Sequence, residues 1–272
     1  MTRQFLRNAR LIVGQLDVSD LDIAFEVDRT GKAKPNTADI TVYNAGEATR
    51  NEWRTVKNPT VRLDVGYDGE FATIFTGAAD FVTSAKKDAD IETTIRAGDG
   101  EKELRAARIA KQVPEKVKPE EILRAVAETL GVKPGNLNSA IAKLSQRGLG
   151  SMFSAGAALS GASADIMDRV CASYGLEWSV QDGALQILER DTAVDGKTVI
   201  KLSKDTGLIG SPTVDSKGVV SFDCLLNPLL KPGGVVVLES LFVRGGFRVT
   251  NVKHAGDNFG GKWESSVHGK VY

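Results

Sequence analysis

The stretch LDIAFEV at residues 21–27 decides the class of fold, because it places an apolar side chain at every second position. Successive side chains of an extended chain point to opposite faces, so Leu21, Ile23, Phe25 and Val27 would share one face. Such alternation is typical of a strand with one face buried and the other in solvent. The stretch therefore predicts a half-buried strand of an antiparallel sheet.

The same alternation returns four times before residue 103, at residues 40–44, 61–67, 81–83 and 91–97. Turn residues that accept positive φ or form Asx turns separate these repeats. They are Asp68-Gly69, Gly77 and Gly98-Asp99-Gly100. We expect residues 1–103 to form a first β-rich domain, an antiparallel sheet or barrel of about six or seven strands.

Residues 104–197 change to a helical period. A proline in the first turn, two glutamates after it and apolar residues at helical spacing predict a helix over residues 119–130. Further helices are expected over residues 138–146 and 163–174, followed by a hairpin over residues 176–188 that turns through Asp-Gly. The middle of the chain therefore reads as a small α+β domain.

A stretch rich in Gly, Ala and Ser interrupts this domain at residues 148–161. Glycine loses much entropy on ordering, and small side chains bury little area in return. We interpret the stretch as a flexible surface loop. A packed helix, or a segment that a partner orders, are the alternatives.

Beyond residue 198 the strand pattern returns. Apolar runs occur at residues 219–226, 235–238 and 247–252, and prolines and glycines separate them. We expect residues 198–272 to form a second β-rich domain. The whole chain is therefore predicted to be α+β and mainly β, with an α+β insert between two β-rich domains.

The composition is that of an ordinary folded protein. Lys and Arg number 35, as do Asp and Glu, so no net field draws the chain of 272 residues to nucleic acid or to an anionic membrane. No run of about 20 apolar residues could span a bilayer, and no apolar run near the N-terminus suggests a secretory signal. We expect a protein without a membrane anchor, whose Cys171 and Cys224 are free core thiols.

Catalytic patterns are missing from the sequence. It contains no Walker, Rossmann, C-x-x-C, H-E-x-x-H or G-x-S-x-G motif. Cys224 with His254 could form a nucleophile and base if the fold brought them together, but a buried thiol and a strand histidine bonded to the backbone explain these residues more simply. His254, His268 and Asp257 could hold a metal, but a Gly-rich segment separates them without the spacing of known sites. Neighbouring carboxylates and short lysine runs are typical of solvated surface. We expect no catalytic site, no metal and no cofactor.

Several short motifs resemble those of one protein family. The C-terminal part contains Leu225-Leu226-Asn227-Pro228, then Lys231-Pro232-Gly233, then His254-Ala255-Gly256-Asp257 and Trp263. The N-terminal part contains I-T-V-Y-N ending in Tyr43 and Asn44, and I-F-T-G ending in Gly77. Together they resemble the phage baseplate hub family, which includes relatives of late control protein D and of the hub part of type VI secretion spikes. We interpret the motif residues as structural: the Pro and Gly residues form turns, and Trp263 supplies a large apolar area to bury.

This resemblance implies two tail-tube-like antiparallel β-barrel domains, residues 1–103 and 198–272, around the α+β domain at residues 104–197. It implies a structural hub, a homotrimeric ring that caps the tail tube and adapts its sixfold symmetry to the threefold spike. The implied partners are further copies of the chain, the tail tube protein, the central spike protein, other baseplate proteins and the tape measure protein. The implied location is the tail baseplate of the virion, after synthesis in the bacterial cytoplasm.

Three other functions compete with the hub. The first is a tail tube or distal tail subunit, which would also be rich in β-sheet. The second is a tail-associated cell-wall hydrolase, for which the chain offers scattered carboxylates. The third is a carbohydrate-binding module, which would need exposed aromatic residues, whereas the three Trp and four Tyr mostly follow apolar strand patterns.

Overall fold

The computed structural model describes residues 6–68, 70–153, 155–190, 192–194 and 199–272. The chain is mainly β with a smaller share of helix, which confirms the predicted α+β class. It divides into two compact units. The first contains Met1–Thr30, Asn36–Asp99 and Ala193–Tyr272, and the second contains Gly31–Pro35 and Gly100–Thr192. None of the described helices is both long enough and apolar enough to cross a membrane.

The N-terminal part of the first unit contributes seven strands and one helix. They are β1 (Arg7–Val13), β2 (Leu16–Asp17), β3 (Ile23–Thr30), β4 (Thr37–Tyr43), α1 (Glu47–Thr55), β5 (Thr60–Tyr67), β6 (Glu70–Lys87) and β7 (Asp90–Gly98). The alternation that predicted β3 is confirmed, since Ile23, Phe25 and Val27 are buried. Strand β1 and helix α1 were not predicted.

Gly77 does not form the predicted turn. It lies inside β6, an 18-residue strand that runs through the segments predicted as separate. A Cβ at Gly77 would lie 2.4 Å from the carbonyl oxygen of Gly98 in β7, a distance that no real Cβ tolerates. Glycine is therefore needed at this position because two backbones approach closely.

The C-terminal part of the first unit contributes six strands and a short 3-10 helix at Lys204–Thr206. The strands are β12 (Ile200–Ser203), β13 (Leu208–Val214), β14 (Val219–Leu225), β15 (Val235–Glu239), β16 (Arg244–Asp257) and β17 (Trp263–Val271). Pro212 is one of the prolines that we expected to separate strands, but it does not end one. It lies within β13, where the pairing with β14 shifts register, and a bulge of this kind accommodates a residue that lacks an N–H.

The thirteen strands described in this unit belong to one sheet. Its main path runs β13-β14-β17-β16-β3-β4-β7-β6-β5-β1-β2, with β15 paired to β16 and β12 paired in parallel to β15. Strands β16 and β3 join the two parts, through antiparallel pairs from Asn251↔Thr30 to Asp257↔Ala24. No closed barrel is detected among the described strands, so the predicted pair of barrels is not seen in this chain.

The described residues of the second unit form four helices and two small sheets. Its elements are α2 (Glu101–Ala106), β8 (Arg108–Val113), α3 (Pro119–Ala127), α4 (Leu137–Gln146), β9 (Ala157–Ala162), α5 (Ser163–Ser173), β10 (Leu176–Gln181) and β11 (Ala184–Glu189). The three predicted helices and the predicted hairpin are confirmed. Their apolar faces form one core that includes Leu123, Met167 and Trp178.

The predicted loop at residues 148–161 is partly wrong. Its second half belongs to β9, which pairs with β8 from Arg108↔Ala162 to Val113↔Ala157. Backbone hydrogen bonds and one buried side chain, Leu159, stabilise this strand. The strand was not predicted because its sequence contains few large apolar residues. In the first half, the Met152 amide donates a 2.9 Å hydrogen bond to the Tyr174 hydroxyl, and Ser154 lies outside the described residues.

Candidate assembly site

Trp263, at the start of β17, lies in an aromatic cluster of the first unit. Its side chain is 2% exposed. The ring meets Phe25 edge to face with 5.4 Å between centroids, and Tyr67 lies 6.5 Å away at a similar angle. The guanidinium of Arg7 lies 5.9 Å from the centroid of the indole. Such edge contacts and the cation–π contact add specific attraction to the area that the indole buries.

Gly256 makes this cluster possible. A Cβ there would lie 2.3 Å from Cζ of Phe25 and 2.7 Å from Cε3 of Trp263. The backbone of β16 therefore runs directly beneath the two rings, and no larger residue fits without moving them.

The turn between β16 and β17 is fixed by polar contacts. The Asp257 carboxylate accepts hydrogen bonds from the amides of Phe259 at 2.8 Å and Gly260 at 3.2 Å. Asn258 accepts from the Ile23 amide at 2.7 Å through its side-chain oxygen. Arg7 donates to the carbonyl oxygen of Gly261 at 2.7 Å. The turn is thus attached to its neighbours on several sides, and it presents the Phe259 ring, 81% exposed, to solvent.

The Leu225-Leu226-Asn227-Pro228 motif packs against the same hairpin. The amide of Leu226 donates to the Trp263 carbonyl at 3.0 Å, and the amide of Asn227 donates to the Ser265 hydroxyl at 3.1 Å. The Asn227 side chain accepts from the Leu229 amide at 3.0 Å, which closes an Asx turn. The motif therefore ends β14 and fixes the chain where it leaves the sheet.

The Lys231-Pro232-Gly233 motif forms the next turn. Gly233 has φ of +83°, and its amide donates to the Val249 carbonyl at 2.8 Å. Pro232 and Gly233 are buried. Glycine accepts this left-handed conformation without strain, so the turn directs the chain into β15.

His254 is a buried, uncharged residue of β16. Its Nδ1 lies 2.8 Å from the Ser265 hydroxyl. Burial, with the positive charges of Arg29 and Lys231 as a further cause, lowers the pKa of His254 to about 3. The Ser265 hydroxyl also accepts a hydrogen bond from the Asn227 amide. His254 thus links β16 to β17 and to the turn that follows β14.

The sheet brings Cys224 and His254 onto the two strands that flank Ser265. Burial nevertheless disfavours the thiolate–imidazolium pair that a reactive cysteine and its histidine would form. Burial raises the pKa of the Cys224 thiol to about 12, and its Sγ lies 3.6 Å from the Ser265 carbonyl oxygen. A protonated buried thiol beside a weakly basic imidazole is not activated for attack. This arrangement stabilises the sheet.

Tyr43 and Asn44 end β4 in the N-terminal part of the unit. Asn44 has φ of +55°, its side chain donates to the Asp90 carboxylate at 2.9 Å, and it accepts from the Ile91 amide at 2.9 Å. Burial, followed by the negative charges of Glu92 and Asp257, raises the pKa of Tyr43. These residues fix the corner between β4 and β7.

The motif residues thus occupy several places in one unit. The sheet brings together Leu226, Asn227, His254, Gly256 and Trp263, whereas Gly77, Gly233 and the Tyr43 corner make separate contacts. Within the described ranges, no three His, Cys, Asp or Glu side chains are grouped as metal ligands.

Sequence reasoning missed other residues of this site. Ser265 connects three strands, yet a serine in the mixed sequence WESSVHGKV carries no signal. Asn258 and Arg7 fix the β16–β17 turn, and only the D-N-F-G-G composition of that turn hinted at their role. The exposed apolar residues Phe259, Leu241 and Phe242 were also not singled out.

Solved structures of tail proteins share this fold. The 43 kDa tail protein of prophage MuSo2 from Shewanella oneidensis has a TM-score of 0.66 at 11% identity, covering 97% of this chain and 98% of that one. The tail protein from Neisseria meningitidis MC58 has a TM-score of 0.66 at 10% identity, covering 98% and 97%. The E. coli c3393 protein has a TM-score of 0.63 at 12% identity, covering 96% and 76%. It is described as a type VI secretion component structurally similar to the T4 bacteriophage tail proteins gp27 and gp5. The fold is therefore that of phage-tail proteins.

The family described as baseplate hub gp41 matches residues 14–245. Because the match spans most of the chain, the chain belongs to the baseplate hub gp41 family. This confirms the resemblance read from the motifs. No curated protein sequence matches the chain significantly.

Proposed function

We propose that this chain is the structural hub of a phage or phage-like tail baseplate. Three copies form a ring that caps the tail tube and adapts its sixfold symmetry to the threefold spike. The observation that carries the proposal is the family match over residues 14–245, which includes strands from both β-rich parts of the first unit.

The proposal treats the two β-rich parts of the sheet as two modules. Strands β1 to β7 come from the N-terminal part, strands β12 to β17 come from the C-terminal part, and the pairing of β3 with β16 joins them. Each part is a candidate tube-like module. Three chains with two modules each would present six similar surfaces to a sixfold tube, although the modules are not closed barrels in the single chain.

In this proposal the motif residues have a structural role, which is to stabilise the first unit. Trp263, Gly256 and His254 lie in the interior of the first unit and secure the hairpin of β16 and β17. None of them offers an activated nucleophile or base, which supports a structural role over the hydrolase alternative.

The proposed partners are the tail tube protein on one side of the ring, the central spike protein on the other, and the other baseplate proteins and the tape measure protein. The proposed location is the baseplate end of the tail, after synthesis in the host cytoplasm. Exposed apolar side chains such as Phe259 and Phe81 are candidate contact points, because such residues often become buried on assembly.

Gold labelling of a tagged chain in purified tails tests the location. The proposal predicts label at the baseplate end alone. Label distributed along the tube would support the tail tube subunit instead, and tails without label would reject a place in the assembled tail.

A further inference from the structure

Four polar side chains form two hydrogen-bonded pairs on the solvent face of β14 and β17. Ser221 and Asp223 lie on β14, and they are opposite His268 and Ser266 of β17 respectively. Nδ1 of His268 lies 2.8 Å from the Ser221 hydroxyl. The Ser266 hydroxyl donates to the Asp223 carboxylate at 2.6 Å. Each pair therefore joins one side chain that is able to bind a metal ion to one serine of the neighbouring strand.

The two serines orient the imidazole and the carboxylate. A hydroxyl accepts as well as donates, so Ser221 can accept the hydrogen of His268 Nδ1, which leaves a lone pair on Nε2. Ser266 engages Oδ1 of Asp223 and leaves Oδ2 for another partner. His268 and Asp223 are both exposed, so these two atoms are accessible to a ligand. Metal ligands in proteins are commonly held in this way by hydrogen bonds from an outer shell.

The spacing of His268 and Asp223 suits a single ion between them. They are diagonal neighbours on one face of two paired antiparallel strands, since His268 lies opposite Ser221, two residues before Asp223. Diagonal neighbours are about 7 to 8 Å apart along the backbone, and somewhat less between Cβ atoms. Zinc binds nitrogen and oxygen at about 2.0 to 2.2 Å, so an imidazole and a carboxylate that each reach inward can span this separation.

A β-bulge makes room beside the two pairs. Residues 210–212 of β13 lie opposite the single residue Phe222, because the pairing with β14 shifts register there. The bulge borders a cleft of about 440 Å³, lined by both pairs and by Ser211 and Thr213. A water molecule occupies about 30 Å³ in the liquid, so an ion with several bound waters fits in this cleft. The two added hydroxyl groups are able to hydrogen-bond such waters.

The charges around the cleft do not neutralise Asp223. Lys253 of β16 lies opposite Ser266, but its Nζ is 2.5 Å from the Glu26 carboxylate. Glu264 and Lys270 continue the solvent face of β17 on the two sides of the pairs, and their charges offset one another. The carboxylate of Asp223 therefore remains the local charge that attracts a cation.

We propose that His268 and Asp223 form a binding site for one zinc ion, with Ser221 and Ser266 as the residues that position them. Imidazole nitrogen and carboxylate oxygen are donors that zinc accepts, ordinarily in a four-coordinate arrangement. Two protein ligands leave two positions, which water in the cleft fills. The inference goes beyond the proposed hub function and does not depend on it.

Calorimetric titration of the full chain with zinc alone, in a buffer without chelators, tests the site. The parent should bind one ion per chain. H268A or D223N should abolish this binding, because each leaves a single protein ligand. S221A or S266A should weaken it about tenfold, as loss of a group that orients a metal ligand commonly does. The control is D20N, which removes an exposed carboxylate elsewhere in the chain and should bind as the parent does.

Nuclear magnetic resonance of the histidine rings provides a second readout on the parent chain. The sequence contains two histidines, so the ring ¹⁵N signals that are lost in H268A belong to His268. Zinc should shift the Nε2 signal of His268 and leave the signals of the buried His254 unchanged. A parent that shows no saturable zinc binding, unchanged binding in H268A, or a shift at His254 instead would each overturn the inference. None of these results would bear on the hub, which gold labelling of tails tests separately.

Discussion

Phe25 and Trp263 meet edge to face, with 5.4 Å between ring centroids and 76° between ring planes. One ring comes from β3 in the N-terminal part of the chain and the other from β17 in the C-terminal part. The contact therefore joins two segments that lie more than 200 residues apart in the sequence. This ring contact helps to hold the two parts together in one folded unit.

Replacement of Trp263 by Ala should lower the free energy of unfolding by about 3 to 5 kcal/mol, because it empties a large buried site beside Phe25 and Tyr67. Assembly should fail as a consequence. Chemical denaturation measures the change. Phe259→Ala, at an exposed position in the same hairpin, should change stability by less than about 0.5 kcal/mol. A Trp263→Ala variant that unfolds like the parent would contradict the packing described here.

Replacement of Gly256 by Ala should destabilise the protein by roughly 1 to 3 kcal/mol, since the added methyl group would overlap Phe25 and Trp263. Gly260→Ala is the matched control, because no atom lies within 4 Å of the position of its Cβ. Thermal unfolding of the two variants should therefore differ clearly. Equal melting temperatures would show that the rings do not pack against Gly256.

Stability should fall as pH decreases below about 6.5, because the folded protein keeps His254 neutral with a pKa of about 3 while the unfolded chain takes up a proton. This residue contributes a slope of up to about 1.4 kcal/mol per pH unit. The clearest window is pH 6.5 to 5, above the range in which most carboxylates titrate.

Denaturant titrations of His254→Asn across this window should show a flatter pH dependence than the parent, even if the variant is less stable. An unchanged slope in His254→Asn would mean that His254 is protonated in the folded protein.

Limited proteolysis should cut the segment around Leu149 before it cuts β9. Gly148, Leu149 and Gly150 are exposed, whereas Ala157–Ala162 pairs along its length with β8. Backbone paired in a sheet must open before a protease can bind it. Mass spectrometry of early fragments locates the cuts, and early cleavage within β9 would show that this pairing is weak.

The sequence predicted the elements whose apolar residues follow a regular period. The half-buried strand β3, the helices α3 to α5 and the β10–β11 hairpin all have such a pattern. Helix α1 was missed because it buries only Trp53 among polar residues. Strand β9 was missed because Ala, Ser and Gly leave no period to read, and β13 because Pro212 marked a break that the bulge absorbs.

The sequence drew attention to some residues of the candidate site, but it indicated neither Ser265 nor Asn258 nor the contacts that the others make. Gly77 and Gly256 read as turn or motif glycines, yet each allows a close approach to a partner distant in sequence, Gly98 in one case and Phe25 in the other. The pairing of β3 with β16, which places both β-rich parts in one sheet, was not predicted either. Contacts of this kind depend on the tertiary fold, and local pattern carries no information about them.

A reconstruction of the assembled tail end, computed without imposed symmetry, tests the proposed hub most directly. The account predicts three copies of this chain in one ring with a pseudo-sixfold outline, in which each chain supplies two β-rich modules that face the tube. A single copy per particle, or six copies in a plain sixfold ring, would contradict it.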